Sequence, residues 1–422
     1  MGLIAAGTAS LQGAYAPDWN STEASMWQVS GTLRGFYDDN YETASTSSGG
    51  KRGSFGFEVS PQLELNVPLQ QTELGVRYTY GLYYYQKRED LGENPIDQTH
   101  QFDLWVDHAF TERWQGKVQD SFVMGQEPEL IDGGTLHRTS GDNISNTGTL
   151  TLNTIWTRLF STALNYRNTI IDYQNSGGTA ADPSIAGVLN RIDQSVSLDL
   201  QWLVAPETVA FVGGSFESVN YTANEPIAFN YFPGASVPYL YSDARDSRSY
   251  YGYVGVQRGV LANLSLSVKG GIQYTENYND PSGATSLNPY ADLSLIYTYL
   301  PGSYAQIGFT QSQNATDEVS PDPATGSFAL NQESSTVYGS INHKLTSKLL
   351  GTVIGRWQHS VYNQGFYNNQ ALDYYNLGVN LSYSFNQHFS VDAGYNLDNL
   401  VSQIPGNSYT RNRIYLGVTA AY

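Results

Sequence analysis

With 422 residues the chain is long enough for roughly two or three ordinary domains or for one large barrel. Its 39 acidic residues against 21 basic ones give a formal charge of −18, a field that repels phosphate backbones and argues against nucleic acid as a partner. It has 0 cysteines, which excludes disulfides and thiolate chemistry, and no run approaches the roughly 18 apolar residues of a membrane-spanning helix. The chain therefore either stays in water or crosses a bilayer as a closed β-barrel, the other structure that leaves no backbone amide unpaired in lipid.

The N-terminal stretch MGLIAAGTASLQGAYA is small and mildly apolar and offers Ala14-Tyr15-Ala16 as a cleavage match, although Pro17 follows and the first basic residue is Arg34. Residues 1–26 are read as a signal-peptide remnant or flexible leader, and 27–422 as a single barrel. Next comes strict alternation. Leu74, Val76, Tyr78, Tyr80, Leu82 and Tyr84 share one phase; Glu73, Gly75, Arg77, Thr79, Gly81 and Tyr83 share the other. The same period of two returns with Val196, Leu198, Leu200 and Trp202, with Leu264, Leu266, Val268, Ile272 and Tyr274, and with Leu377, Val379, Leu381, Tyr383 and Phe385. No helical periodicity is evident.

The alternating runs pair through very short links, PLQQ (68–71), FTER (110–113), TRLF (157–160), VAPE (204–207), GVLA (259–262), LPG (300–302), LTSK (345–348) and FNQH (385–388). Between pairs lie long polar stretches such as 37–53, 125–143, 174–190, 221–246 and 312–330. Short turns at one end and long loops at the other predict an all-β transmembrane antiparallel barrel of about eighteen strands, with the short turns in the periplasm and the long loops outside.

In such a barrel the apolar phase faces lipid and the polar phase a wet lumen. Mid-strand charges belong to the polar phase, because Lys or Arg facing lipid at the bilayer midplane costs about 2–4 kcal/mol. Arg77, Asp103, Arg167, Asp199, Lys269 and Asp392 obey this, and with Tyr83, Tyr85, Trp105, Tyr251 and Tyr253 they are the candidate lumen-lining residues. Arg158, Arg258 and His343 break phase, but beside short turns. Aromatics suit the water–lipid boundary. Phe110, Trp156, Trp202, Tyr299 and Phe385 are expected in the periplasmic girdle, and Tyr84, Tyr221, Tyr250, Tyr274 and Tyr374 in the outer one. Lys87, Arg88, Glu89 and Asp90 are expected to mark the exit into water. The C-terminal RIYLGVTAAY ends on Tyr422, which looks like the terminal aromatic that the barrel-assembly machinery reads, although Phe is usual there.

The stretches GFYDDNY, FGFEVSPQLEL, YTYGLYYYQ, IDQTHQFDLWVDHAFTERW and DSFVMGQEPELID, within roughly the first third of the chain, resemble the putative β-barrel porin 2 family of bacterial outer-membrane proteins. The resemblance implies a porin-like barrel in a Gram-negative outer membrane, in contact with its lipid and lipopolysaccharide. Members often accompany exopolysaccharide systems, which implies a periplasmic polysaccharide exporter as a partner.

No Walker loop, H-E-x-x-H or EF-hand spacing is present, and Asp107 and His108, adjacent in one strand, point to opposite faces. No enzyme, cofactor or resident metal is expected. Glu127, Glu129 and Asp132 in GQEPELIDGG lie in a long loop that either folds inward as a constriction, binds a divalent cation, or stays solvated. The lumenal aromatics either stack on sugar rings or pack against the loop bases. The expected function is passage of small hydrophilic solutes through a water-filled lumen with at most mild cation preference. The alternatives are a conduit for exopolysaccharide export and a plugged barrel serving as scaffold or adhesin. Solute and oligomeric state are not legible.

Overall fold

The computed structural model describes residues 26–45, 47, 49–125 and 142–422. Its strands in chain order are β1 (Trp27–Asp38), β2 (Ser54–Pro68), β3 (Thr72–Tyr85), β4 (Ile96–Thr111), β5 (Trp114–Gly125), β6 (Asn143–Ile155), β7 (Phe160–Tyr173), β8 (Arg191–Ala205), β9 (Thr208–Tyr221) and the short β10 (Pro226–Phe229) and β11 (Tyr239–Tyr241). They continue with β12 (Ser247–Leu261), β13 (Leu264–Glu276), β14 (Thr285–Leu300), β15 (Ser303–Asn314), β16 (Asn331–Lys344), β17 (Leu349–Asn363), β18 (Ala371–Asn386), β19 (Phe389–Ser402) and β20 (Tyr409–Ala421). All except β10 and β11 form one 18-stranded antiparallel sheet, each strand paired with its chain neighbours and β9 with β12. The sheet closes where β1 pairs with β20, from Ser30↔Ala421 to Asp38↔Arg413.

Closure follows from the sequence pattern. Each strand carries one apolar and one polar phase, and a flat sheet would leave two edges of unpaired amides. All eight short links fall at strand junctions at one end of the barrel. In the Pro301-Gly302 link, Gly302 adopts φ 72°, a left-handed conformation that glycine takes without steric cost. The helical pieces, which alternation did not foreshadow, sit in the long loops: α1 (Gln86–Leu91), α2 (Ile185–Leu189) and a 3₁₀ turn (Ser242–Arg245). No described helix is long and apolar enough to cross a membrane.

Exposure alternates along the strands with the apolar residues outward, as in β1, where Trp27, Val29 and Leu33 are exposed, and β2, where Phe55, Phe57, Val59, Leu63 and Leu65 are. An apolar exterior with charges turned inward is the reverse of a soluble barrel. Near the short turns Phe110, Trp156, Trp202 and Phe385 are exposed, Trp114 packs edge-on against Trp156, and Tyr299 lies beside Tyr297 and stacks on His343. Near the loops Tyr84 stacks on Phe57, while Tyr250 and Tyr274 face out. Two expected outer-girdle residues do not. Tyr221 and Tyr374 are only 6% and 7% exposed and lie on the inward phase, beneath the loops, because they occupy the parity opposite to Phe216 and Leu377 in their own strands. Tyr422 continues the β20 ladder, exchanging both backbone hydrogen bonds with Val29, with its ring beside Trp27 and His388.

Since the two faces meet different solvents, the same substitution should have opposite consequences on each. Val254→Arg, mid-strand on the outer face, is expected to destabilise the lipid-inserted barrel by about 2–4 kcal/mol, and Ser267→Arg on the inner face by less than about 1 kcal/mol, measured as urea unfolding in vesicles.

Candidate functional site: the lumen and its outer canopy

The inner wall is built from inward phases carrying charges that pair across neighbouring strands. At the closure seam, Arg34 of β1 donates from Nε to Asp392 Oδ2 of β19 at 2.9 Å and approaches Glu58 of β2 at 3.4 Å. Higher up the same seam, Asp38 is fully buried and accepts from Arg411 Nε at 2.7 Å and Arg413 Nε at 3.1 Å, tying the first strand to the last. Buried charges of this kind require partners, and Asp38 has two. On the next wall Arg77 donates two hydrogen bonds to Asp103 Oδ2, at 3.0 and 2.9 Å, and Ser121 donates to the other oxygen of Asp103. Trp105 lies flat across Gly75, where a Cβ would meet the indole at 1.9 Å; the glycine leaves the space the ring fills.

Across the barrel, Tyr253 donates to Asp199 Oδ1 at 2.7 Å, Tyr251 donates to Glu217, and Lys269 lies over the rings of Tyr253 and Tyr290 at 4.9 and 5.2 Å. The lysine also reaches Asp292 at 3.7 Å. Arg167 shares this inward face.

The structure thus brings together several residues singled out from the sequence: Arg77 with Asp103, Tyr253 with Asp199 and Lys269, and Asp392 with an arginine that sequence reasoning had not picked. It does not leave all the inward aromatics free. Tyr85 is 1% exposed, enclosed by Phe36 and Tyr41 and covered by the Arg88 guanidinium, and Tyr253 is 6% exposed. Neither presents a free ring face. Tyr83 packs on the Tyr85 cluster, and Tyr83, Trp105 and Tyr251 keep partial exposure. Arg88 corrects a further expectation: among the four charges read as the exit into water, Lys87, Glu89 and Asp90 are exposed, but Arg88 turns back under the loop to pair with Asp97. Its aliphatic stem and planar head suit such a half-buried stack. Glu127, Glu129 and Asp132 lie outside the described residues.

Sequence reasoning missed a second feature, a canopy at the loop end. Three long loops, after β7, β9 and β15, share one apolar core: Ala186, Val188 and Leu189 from α2, Ile227 and Leu240 from the β10–β11 hairpin, and Val319, Phe328 and Leu330 from the third loop, resting on Ile171 and Tyr173 of β7. Arg245 bolts them together. It is 1% exposed, lies over the Tyr221 ring at 4.7 Å, donates to Val188 O at 2.9 Å, and donates to Thr316 O. Burial pulls its pKa down from the ordinary arginine value. A second staple is Glu225, whose carboxylate accepts from the Ser184 hydroxyl and from the backbone N–H groups of Gly177 and Gly178, bonds that hold its pKa below the ordinary glutamate value. Beneath the canopy, Gln273, Gln332 and Gln358 on the inner faces of β13, β16 and β17 are buried. The short apolar pairs inside these loops, Ile227 in PIAF and Phe328 in SFAL, were the available signal.

A closed 18-stranded barrel with a greasy exterior, aromatic girdles and a charge-paired interior defines a transmembrane β-barrel of the outer-membrane type. The chain belongs to the putative beta-barrel porin 2 family, whose model matches residues 26–422. Among solved structures it is similar to OccAB4 of Acinetobacter baumannii (13% identity, 94% of this chain and 99% of that one, TM-score 0.43). It is also similar to OpdO of Pseudomonas aeruginosa (11%, 94% and 97%, 0.45) and to a mutant of the ferric enterobactin receptor PfeA of P. aeruginosa (11%, 93% and 81%, 0.47). These likenesses are too distant to carry function across. No curated protein matches the chain.

If Arg245 holds the canopy shut, Arg245→Ala leaves two buried carbonyls unpaired and should loosen it by about 2–3 kcal/mol. The expected readout is faster hydrogen exchange and proteolytic nicking in loops 174–190 and 315–330, with the strands unaffected.

Proposed function

We propose that this protein is a porin-like channel of a bacterial outer membrane, through which small hydrophilic solutes pass passively. The observation that supports this most is the inward face: across the barrel, charges of both signs and hydroxyls line an interior that an 18-stranded wall leaves wide enough for water. Transport then needs no catalyst, because a hydrated path through hydrocarbon removes the desolvation barrier that an ion or polar solute otherwise meets. On the inner wall Arg34, Arg77, Arg191, Lys269, Arg411 and Arg413 are paired with carboxylates, so selectivity rests on the excess acid. The acidic loop residues Glu127, Glu129 and Asp132 add to it, and the preference is mildly cationic. In this reading Tyr422 is the residue recognised by the barrel-assembly machinery, and the canopy side faces the lipopolysaccharide leaflet.

An exopolysaccharide conduit, with a periplasmic exporter as partner, is the other role the family suggests. The enclosure of Tyr85 and Tyr253 weighs against an aromatic sugar track on those two rings.

Planar-bilayer recording of the purified protein is the test. Discrete conductance steps and a reversal potential on the cation side in a salt gradient are expected. A silent bilayer, or anion selectivity, would overturn the reading.

A further inference from the structure

The outward faces carry no charged residue through the middle of the wall, with one exception. Asp120 is the seventh residue of β5; it points outward in phase with Val118 and Phe122, beside Leu104 of β4 and Gly148 of β6. Among the described residues it is the only Asp, Glu, Lys or Arg on an outward phase at the centre of a strand; Asp172, Arg248, Arg258, Glu276, Glu333 and Asp373 all lie near strand ends. Its carboxylate receives a hydrogen bond from Asn146 Nδ2, at 3.0 Å to Oδ1. Oδ2 lies over Gly148, 3.2 Å from where a Cβ would stand. Hydrocarbon supplies no donor for that second oxygen, so a carboxylate here is costly unless something else does.

The donor is available on the same face of the same chain. Tyr166 is the seventh residue of β7, faces outward at 40% exposure, and its hydroxyl makes no hydrogen bond to a described residue. The ladders set Asp120 opposite Gly148 and Tyr166 opposite Leu150, two residues apart along β6, and a strand tilt of roughly 35–45° brings that offset of about 6.8 Å back to nearly equal height. Two strand spacings together with that offset put them about 12 Å apart on the outer face. A two-fold axis along the membrane normal, passing over β6 between them, superposes the acceptor of one copy on the donor of the other, twice. Equal height is what such an axis demands, and an isologous contact requires this self-complementarity.

We propose that a second copy of this chain packs against the outer face of β5–β7, each Asp120 carboxylate accepting a hydrogen bond from the Tyr166 hydroxyl of the other copy. Gly148 and Leu150 of β6 then flank the axis. The chain contains 0 cysteines, so single-cysteine reporters are unambiguous.

Leu150→Cys in native membranes should form a disulfide-linked dimer on mild oxidation, while Leu416→Cys, on the closure-seam wall, should not. The detergent-solubilised protein should have about twice the 46.5 kDa chain mass by native mass spectrometry. Adding Tyr166→Phe to the Leu150→Cys protein should weaken association about tenfold, the loss of one hydrogen bond at each of two equivalent contacts. Asp120→Leu should abolish the cross-link while the protein keeps the heat-modifiable gel shift of a folded barrel, and Asp120→Asn, which still accepts a hydrogen bond, should retain it. A monomeric wild type, an equal cross-link at Leu416→Cys, or a Leu150→Cys cross-link undiminished by Tyr166→Phe would overturn the proposal.

Discussion

Hydrocarbon offers a peptide group nothing to bond to, and that single fact dictates most of what this chain does. Every strand must find two neighbours, so the first must meet the last. The β1–β20 ladder meets that requirement in the backbone, and the Asp38 pairing with Arg411 and Arg413 reinforces it from inside. Once the sheet is closed, alternation has only two destinations. The apolar phase solvates itself in lipid, and the polar phase must be kept wet or be paired.

The inner wall shows both outcomes. Along its middle, charges pair across neighbouring strands; toward the loops it is closed over, with Gln273, Gln332, Gln358, Tyr85 and Tyr374 buried. Loops that would otherwise be solvated instead build a small apolar core of their own, fixed by a buried guanidinium donating to carbonyls of two other loops. That arrangement makes the outer opening a property of loop packing and leaves the barrel wall unchanged, since Arg245 can release both carbonyls without touching a strand ladder.

Much of this was legible beforehand, and for a physical reason: period-two alternation and the eight short links are local, and a strand's two faces are set by parity alone. Parity also places Tyr221 and Tyr374 inward, while residue type and nearness to the loops alone suggest the outer girdle. Arg88 was read as solvated because it sits among three exposed charges, and only the closeness of Tyr41, Tyr85 and Asp97 in the folded loop explains its burial. The canopy was out of reach for a different reason. Its members come from three loops that become neighbours only after β7–β16 curl into a wall, and no local pattern encodes that adjacency. Asp120, in contrast, is legible from parity, as the one mid-strand charge in phase with Val118 and Phe122.

The central claim is that neighbouring residues on a strand meet different solvents, and one labelling experiment on β8 addresses it directly. Cysteines placed singly at positions 195 to 200, in protein reconstituted in lipid, should alternate. Those replacing Ser195, Ser197 and Asp199 should react with a small water-soluble thiol reagent. Those replacing Val196, Leu198 and Leu200 should resist it, and a fluorophore attached there should be quenched by brominated lipid. Uniform reactivity along the strand, or water access at Leu198 with lipid quenching at Asp199, would contradict the account.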